Sequence, residues 1–347
     1  MWKGIAANGL SFLILVFIAV AGAITWGQRE FTAAGPLAEP VFFEVPRGAT
    51  LTRVSEDLEA AGAVRSATLF RLGARYAEMD DQLRFGNYEI PAGASMQAVL
   101  DIVTAGGPSR FRYTATYILR VDGTGVLRLR ERVPGTDEIV TLAEFSYEDG
   151  VAPEYAALVE DGTPISYRVS VPEGLTSWQI VEGWRAADFL TGDIAEVPPE
   201  GMLAPNTVDV ARGQDRQGIL DDMREAQEVI IAEVWAARAD GLPLASAEEA
   251  LILASIIEKE TSVADERGLV SGVFINRLER GMRLQTDPTV IYGVTEGRGV
   301  LGRGLRRSEL DAETPWNTYV ITGLPPTPIA NPGRAALEAA VNPADTD

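Results

Sequence analysis

Two glutamates separated by one lysine, Glu258-Lys259-Glu260, close an almost wholly apolar helical run, Leu251-Ile252-Leu253-Ala254-Ser255-Ile256-Ile257. They stand out because the rest of the chemical inventory is short: the 347 residues include no His and no Cys. A Ser-His-Asp triad, a Cys nucleophile, an imidazole or thiolate zinc site and a disulfide framework are all excluded. Carboxylates, Ser, Thr, Lys, Arg and Tyr remain, so carboxylate acid–base catalysis is the leading enzymatic option. No metal or organic cofactor is expected. A chain without Cys is compatible with an oxidising compartment.

Helical geometry separates the two carboxylates. Glu260 has Ile257, Ile256 and Leu253 three, four and seven residues back, an apolar wall that predicts partial desolvation and a proton retained near neutral pH. A general acid acting on a glycosidic oxygen needs that property. Glu258 has Ser255, Ala254 and Leu251 at the same offsets. It lies about 200° away round a helix of 3.6 residues per turn, so the two cannot face one substrate. A solvated helix end is the alternative reading, and helix logic alone leaves both open.

The elements that must position this helix end are legible around it. Ser246 is an N-cap, with Glu249 completing a capping box. Before it, Gly218 to Asp240 repeats Ile219, Met223, Ala226, Ile230, Val234 and Ala237 at helical spacing, and Gly241 ends that helix. After it, Asp265 starts a helix that is apolar at Val270, Val273, Phe274 and Leu278 and stops at Gly281.

Upstream, the order strand, Pro-x-Gly-x-Ser/Thr, helix occurs at Pro46–Thr50 and Pro91–Ser95, and again at Pro172–Thr176. Gly permits each turn and the hydroxyl caps the helix that follows. The repetition suggests a small glycan-binding or scaffold fold. Tyr113 to Tyr167 alternates apolar and charged residues and reads as a β insertion without chemistry of its own.

Ile5 to Trp26 carries no charge and is long enough for about 30 Å of hydrocarbon. Lys3 before it orients the N-terminus to the cytoplasm and exports the rest. A cleaved signal peptide, with Ala21-Gly22-Ala23 as its cleavage site, is the competing reading; the length of the apolar stretch favours a retained anchor. Gln28 to Pro40 reads as a short linker. Hydrophobic residues make up 46% of the chain, enough for a sizeable core. Fifty acidic against thirty basic residues give a net charge of −20, which argues against a nucleic-acid partner.

Several motifs resemble one known family. They are Ala254–Thr261, Val273–Leu278, Gly281–Gly293, Asn317-Thr318-Tyr319, Gly323–Pro326, Pro328–Gly333 and, upstream, Pro199–Pro205. Together they are similar to the YceG-like family, which comprises the endolytic murein transglycosylases. The resemblance implies a lyase that cuts the MurNAc–GlcNAc β-1,4 bond within glycan strands and leaves 1,6-anhydroMurNAc ends. It places the family's catalytic glutamate on Glu260, the residue the helix argument favoured. Asn276, Arg277, Gln285, Asp287, Thr289, Tyr292, Asn317 and Tyr319 are the candidate substrate-binding residues.

The expected architecture is α+β: a cytoplasmic tip and transmembrane anchor (1–28), a LysM-like region (29–110), the β insertion (111–168) and a mixed catalytic domain (169–347). The family pattern implies a further β-rich segment beyond Asp347. It also carries Asp-Thr-Tyr where this chain has Asn206-Thr207-Val208. Expected partners are peptidoglycan strands, the cytoplasmic membrane through one helix, and wall-synthesis proteins. The catalytic part is expected in the periplasm. A hydrolytic muramidase using Asp287 as second carboxylate and a non-catalytic glycan-binding scaffold are the rival readings.

Overall fold

The computed structural model describes residues 2–106 and 109–346, with side chains from Phe12 onward. It is a mixed α+β structure in two compact units. The first comprises Met1–Thr114, Arg130–Thr141 and Asp161–Ile165; the second comprises Ala115–Leu129, Leu142–Glu160 and Ser166–Asp347.

The first unit begins with α1 (Trp2–Thr32). Phe12–Thr32 is long and apolar enough to cross a membrane, and its large apolar side chains are exposed. Then follow β1 (Val41–Val45), α2 (Leu51–Ala60), α3 (Ala67–Tyr76), β2 (Gly86–Ile90) and α4 (Met96–Ala105). β1 and β2 pair antiparallel, Val41 opposite Ile90 through to Val45 opposite Gly86. The helices bury Val54, Leu58, Phe70, Val99 and Val103 against Val45 and Ile90.

The turn chemistry read from the sequence holds. Thr50 accepts from the Arg53 amide at 3.3 Å and Ser95 from the Ala98 amide at 3.2 Å. Gly48 and Gly93 take the left-handed backbone that each turn requires.

The expected linker is absent as such. Gln28 to Thr32 continue α1, and the Gly35 amide donates to Gly93 O at 3.0 Å while the Gly93 amide donates to Leu37 O at 2.9 Å. Gly35 backs directly onto the Ala94 carbonyl, so glycine here serves close packing instead of flexibility.

The second unit contains most of a five-stranded sheet in the order β5-β4-β3-β6-β7. Its strands are β3 (Tyr113–Leu119), β4 (Gly125–Arg132), β5 (Ile139–Phe145), β6 (Ile165–Ser170) and β7 (Thr207–Val210), with α5 (Pro153–Glu160) between β5 and β6. β6 and β7 run antiparallel.

Residues 111–168 share a sheet with β7, and α6 (Ser177–Ala186) packs on them: Tyr117 Oη donates to Gly183 O at 3.0 Å, and Leu119 leaves no room for a Cβ at Gly183. Sequence alternation shows that strands exist, not which sheet they join. The third cap holds, with Thr176 accepting from the Gln179 amide at 3.2 Å.

The rest of this unit is helical: α7 (Arg216–Ala236), α8 (Ala247–Glu260), α9 (Arg267–Glu279), α10 (Asp287–Thr295), α11 (Arg307–Leu310) and α12 (Arg334–Val341). α7 is capped by Asp215 and ends at Ala236, short of the expected stop at Gly241. α8 is the centre of this layer. It is buried on all sides from Ala250 to Ile257, against α7, α9, α10 and α12. Ser246 caps it as expected, but Glu249 accepts from the Ala245 amide at 2.6 Å instead of the Ser246 amide. Within α8, Ser255 Oγ donates to Ile252 O at 2.7 Å and accepts from the Ile329 amide at 3.0 Å. α9 buries Ser271, Gly272, Phe274 and Ile275, whereas Val273, expected in the core, is exposed.

Candidate active site

Glu260 is the last residue of α8. Thr261 leaves the helix in extended backbone, and its hydroxyl donates to Glu266 Oε2 at 2.9 Å, closing the corner into α9. A helix buried along its length therefore delivers one exposed carboxylate at its tip.

That carboxylate has one protein donor among the described residues: Thr286 Oγ1 donates to Glu260 Oε2 at 2.8 Å. Thr286 is itself fixed. Its amide donates to Thr318 Oγ1 at 3.1 Å, its carbonyl accepts from Thr289 Oγ1 at 2.8 Å, and the Thr289 and Thr318 hydroxyls share a 2.8 Å bond. Gln285 takes left-handed backbone (φ 51°) and its amide donates to Thr318 O at 3.1 Å. Such a conformation costs a non-glycine residue about 1 kcal/mol or more, so the surrounding bonds must hold it. It turns the chain into α10, which opens on Asp287-Pro288 with proline where a missing N–H does no harm.

The cleft beside Glu260 has a volume of about 230 Å³. Arg277, Gln285 and Thr286 are its polar lining; Val270, Val273 and Phe274 form an apolar wall. Arg277 is oriented by donating to the Leu284 carbonyl. Tyr319 Oη donates to Asp287 Oδ1 at 2.7 Å, and chiefly that bond pushes the Tyr319 phenol up to about 12.

A second carboxylate cluster lies on the other side of the α8 end. Glu200 Oε1 accepts from the Ser177 amide (2.8 Å), Ser177 Oγ (3.3 Å) and Asn331 Nδ2 (3.2 Å), and Oε2 accepts from Tyr292 Oη (3.2 Å). Burial raises its pKa to about 7 against the pull of those bonds. Glu258 accepts from the Gly333 amide at 3.1 Å and lies 3.6 Å from Arg267, which also pairs with Glu173 at 3.6 Å. Burial raises Glu258 as well, helped by the nearby Glu173 charge. Lys259 donates to Gly174 O at 3.1 Å and is lowered by burial, with Glu258 and Glu200 opposing.

The desolvation expected at Glu260 thus falls on Glu258, whose side chain is 5% exposed. The apolar wall of α8 is consumed by packing on its neighbours, and Glu260 projects past its end.

The other expected site residues divide three ways. Arg277 and Gln285 share the cleft with Glu260, and Asp287 and Tyr319 form a pair next to it in sequence and structure. Thr289 and Asn317 are fully buried. Thr289 braces Thr286, and Asn317 Nδ2 donates to the carbonyls of Glu309, Leu310 and Ala312 while its Oδ1 accepts from the Tyr319 amide. Asn276 and Tyr292 are turned elsewhere: Asn276 donates to Thr346 O at 2.8 Å, and Tyr292 serves Glu200. Thr289, Asn317, Asn276 and Tyr292 are therefore bracing residues in this structure, not cleft residues.

Two groups escaped the sequence reading. Thr286 lies within the Gly281–Gly293 motif, yet its bond to Glu260 depends on a fold bringing positions 26 residues apart together. Glu200 owes its burial to Ser177, Tyr292 and Asn331, none of them local.

A model of the YceG-like family matches residues 43–122 and 148–347. An endolytic murein transglycosylase of Streptococcus pneumoniae serotype 2 (strain D39) is 25% identical over 349 residues, covering 97% of this chain and 59% of the relative. One from Bacillus subtilis (strain 168) is 26% identical over 341 residues, covering 94% and 83%. The chain spans about three-fifths of the length of the pneumococcal relative. A crystal structure of a yceG-like protein from Listeria monocytogenes has 24% sequence identity and a TM-score of 0.44, over 89% of this chain and 92% of that one.

Proposed function

The chain belongs to the YceG-like family, and on that premise we propose that it is an endolytic lytic transglycosylase of peptidoglycan with Glu260 as its single acid and base. The observation that carries the reading is the carboxylate's setting: exposed, at the tip of a buried helix, held on Oε2 by Thr286 and, among the described residues, without a hydrogen-bond partner on Oε1. In the reaction the protonated Glu260 gives its proton to the oxygen leaving C1 of MurNAc. The resulting carboxylate takes the proton from the C6 hydroxyl of the same sugar. O6 closes on C1, the C1–O bond to GlcNAc breaks, and the glutamate ends protonated as it began.

No water enters, so one carboxylate suffices; the attacking group is part of the substrate and already close to C1. A glycan lying over Val270, Val273 and Phe274 excludes solvent from the cleft. Arg277 is the natural partner for a lactyl or stem-peptide carboxylate. Gln285, Asp287 and Tyr319 offer polar contacts to sugar hydroxyls. Asp287 is the carboxylate a hydrolase would need, but it does not line the cleft and is engaged by Tyr319.

The remaining parts follow the same reading. α1 anchors the chain in the cytoplasmic membrane with both units on the periplasmic side. The first unit, with its two capped strand–turn–helix repeats, is a LysM-like glycan-binding region. Cutting within nascent strands beside the wall-synthesis proteins would terminate their elongation. Long purified glycan strands incubated with the protein test the activity. Mass spectrometry of the fragments is expected to show internal cuts with anhydro ends. Uncut strands, or new ends that are all reducing, would overturn the proposal.

A further inference from the structure

Helix α1 does not stop where its uncharged stretch stops. Its 31 residues are about 46 Å long at 1.5 Å per residue, against about 30 Å of bilayer hydrocarbon. The excess continues into the first unit as one unbroken helix. Gly27 lies against Leu69, Phe31 fills the space over Gly73, and Glu30 pairs with Arg65 at 2.6 Å. Between this end of α1 and α3 runs a groove of about 1000 Å³. One wall is Ala23, Ile24 and Trp26; the other carries Leu72 and Tyr76. Trp26 is 64% exposed, Leu72 56% and Tyr76 81%, a gathering of large apolar and aromatic side chains that implies a partner.

This inference rests on the reading that α1 crosses the membrane. Given that, the geometry points to a second membrane contact: the Leu72–Tyr76 edge of α3 sits in the interfacial zone of the bilayer, and lipid fills the groove. Continuity identifies the occupant. Ile24 belongs to the span, so lipid that surrounds it must also meet Leu72 and Tyr76 across the same groove. Tyr76 and Trp26 have an apolar body and a polar tip, the form that favours headgroup depth. Arg29 and Arg75 are exposed, with stems long enough to reach headgroups. Asp80 and Asp81 follow shortly after and the chain as a whole is strongly acidic, so apolar area, not surface charge, drives the contact. The first unit is then held against the membrane instead of hanging from a tether.

The absence of Cys makes the test direct. Full-length Ile18→Cys, Leu72→Cys and Tyr76→Cys variants, each bearing one nitroxide, are placed in phosphatidylcholine vesicles. Electron paramagnetic resonance saturation then compares collisions with lipid-soluble oxygen and with a water-soluble nickel chelate. Ile18 is expected to report hydrocarbon, and labels at Leu72 and Tyr76 an oxygen-to-nickel ratio several-fold above that of the same label in water. If Ile18 reports hydrocarbon while Leu72 and Tyr76 report open water, the seating is wrong and the anchor stands. If Ile18 also reports water, the anchor itself is wrong and the seating falls with it.

Discussion

Glu258 and Glu260 leave the same helix two residues apart and enter opposite surroundings. On one side Glu258 and Glu200 are enclosed and, with Lys259, answered by named partners: the Gly333 amide and Arg267, then Ser177, Asn331 and Tyr292, then the Gly174 carbonyl. On the other side Glu260 is exposed to a cleft and answered by the Thr286 hydroxyl. A search led by perturbed titration alone selects Glu200, whose value of about 7 suits a general acid. Reach decides otherwise, because an acid must touch the oxygen it protonates and Glu200 is enclosed by its own donors. The buried side is a clamp that ties α6, α8, α10 and the Pro328–Gly333 segment together; the open side is where substrate can enter.

The largest expected effect belongs to the open side. Glu260→Gln keeps shape but removes the transferable proton, and cleavage of glycan strands should fall by about 10²–10⁴-fold with the thermal unfolding curve unchanged. Glu258→Gln should cost far less activity. Loss of cleavage in a folded Glu258→Gln protein, with Glu260→Gln active, would reverse the two sides.

Next comes the clamp. Glu200→Ala strands the Ser177 amide and the Asn331 and Tyr292 donors, and should cost about 3–5 kcal/mol in urea denaturation. A loss under about 1 kcal/mol would show that the network is not structural.

The clamp also has a pH signature. The folded pKa of Glu200, about 7, is raised above the ordinary 4.5. Its stabilising contribution is therefore complete below about 4.5 and is lost as pH rises through about 7, a change of no more than about 3 kcal/mol. Glu258 is shifted in the same direction. Denaturation midpoints should decline over that window, and Glu200→Gln, which cannot ionise, should flatten the decline. An unchanged slope in the variant would refute the assignment to Glu200.

The smallest effect is Thr286→Val. It keeps volume and removes the hydroxyl that donates to Glu260, so kcat should drop by about tenfold with KM nearly constant. A pure KM change would place Thr286 in substrate binding instead.

How much of this could be read from the chain is clearest at the end of α8. The apolar run from Leu251 to Ile257 and the caps at Thr50, Ser95 and Thr176 are local patterns, and they survive in the structure. The motif resemblance singled out Glu260 where helix logic left two readings open. Burial of the neighbouring carboxylate was not legible, because Gly333 and Arg267 are brought to Glu258 only by the tertiary fold. Thr289, Asn317 and Tyr292 show a related limit. Hydroxyls, amides and phenols serve sugars and buried braces equally well, and only their partners distinguish the roles. The same holds for 28–40, where Gly and Pro suggested a linker and close packing on Ala94 made a fixed corner.

The central claim is that Glu260 moves protons for a substrate that attacks itself. Digesting glycan strands with the full-length protein in water enriched in oxygen-18 tests it at the level of atoms. The account predicts new MurNAc ends with no oxygen-18, one water lighter than reducing ends, and their near disappearance with Glu260→Gln. Oxygen-18 at C1 of the new ends, established at the moment of cleavage, would mean that water is the nucleophile and that a second carboxylate does part of the work assigned here to one.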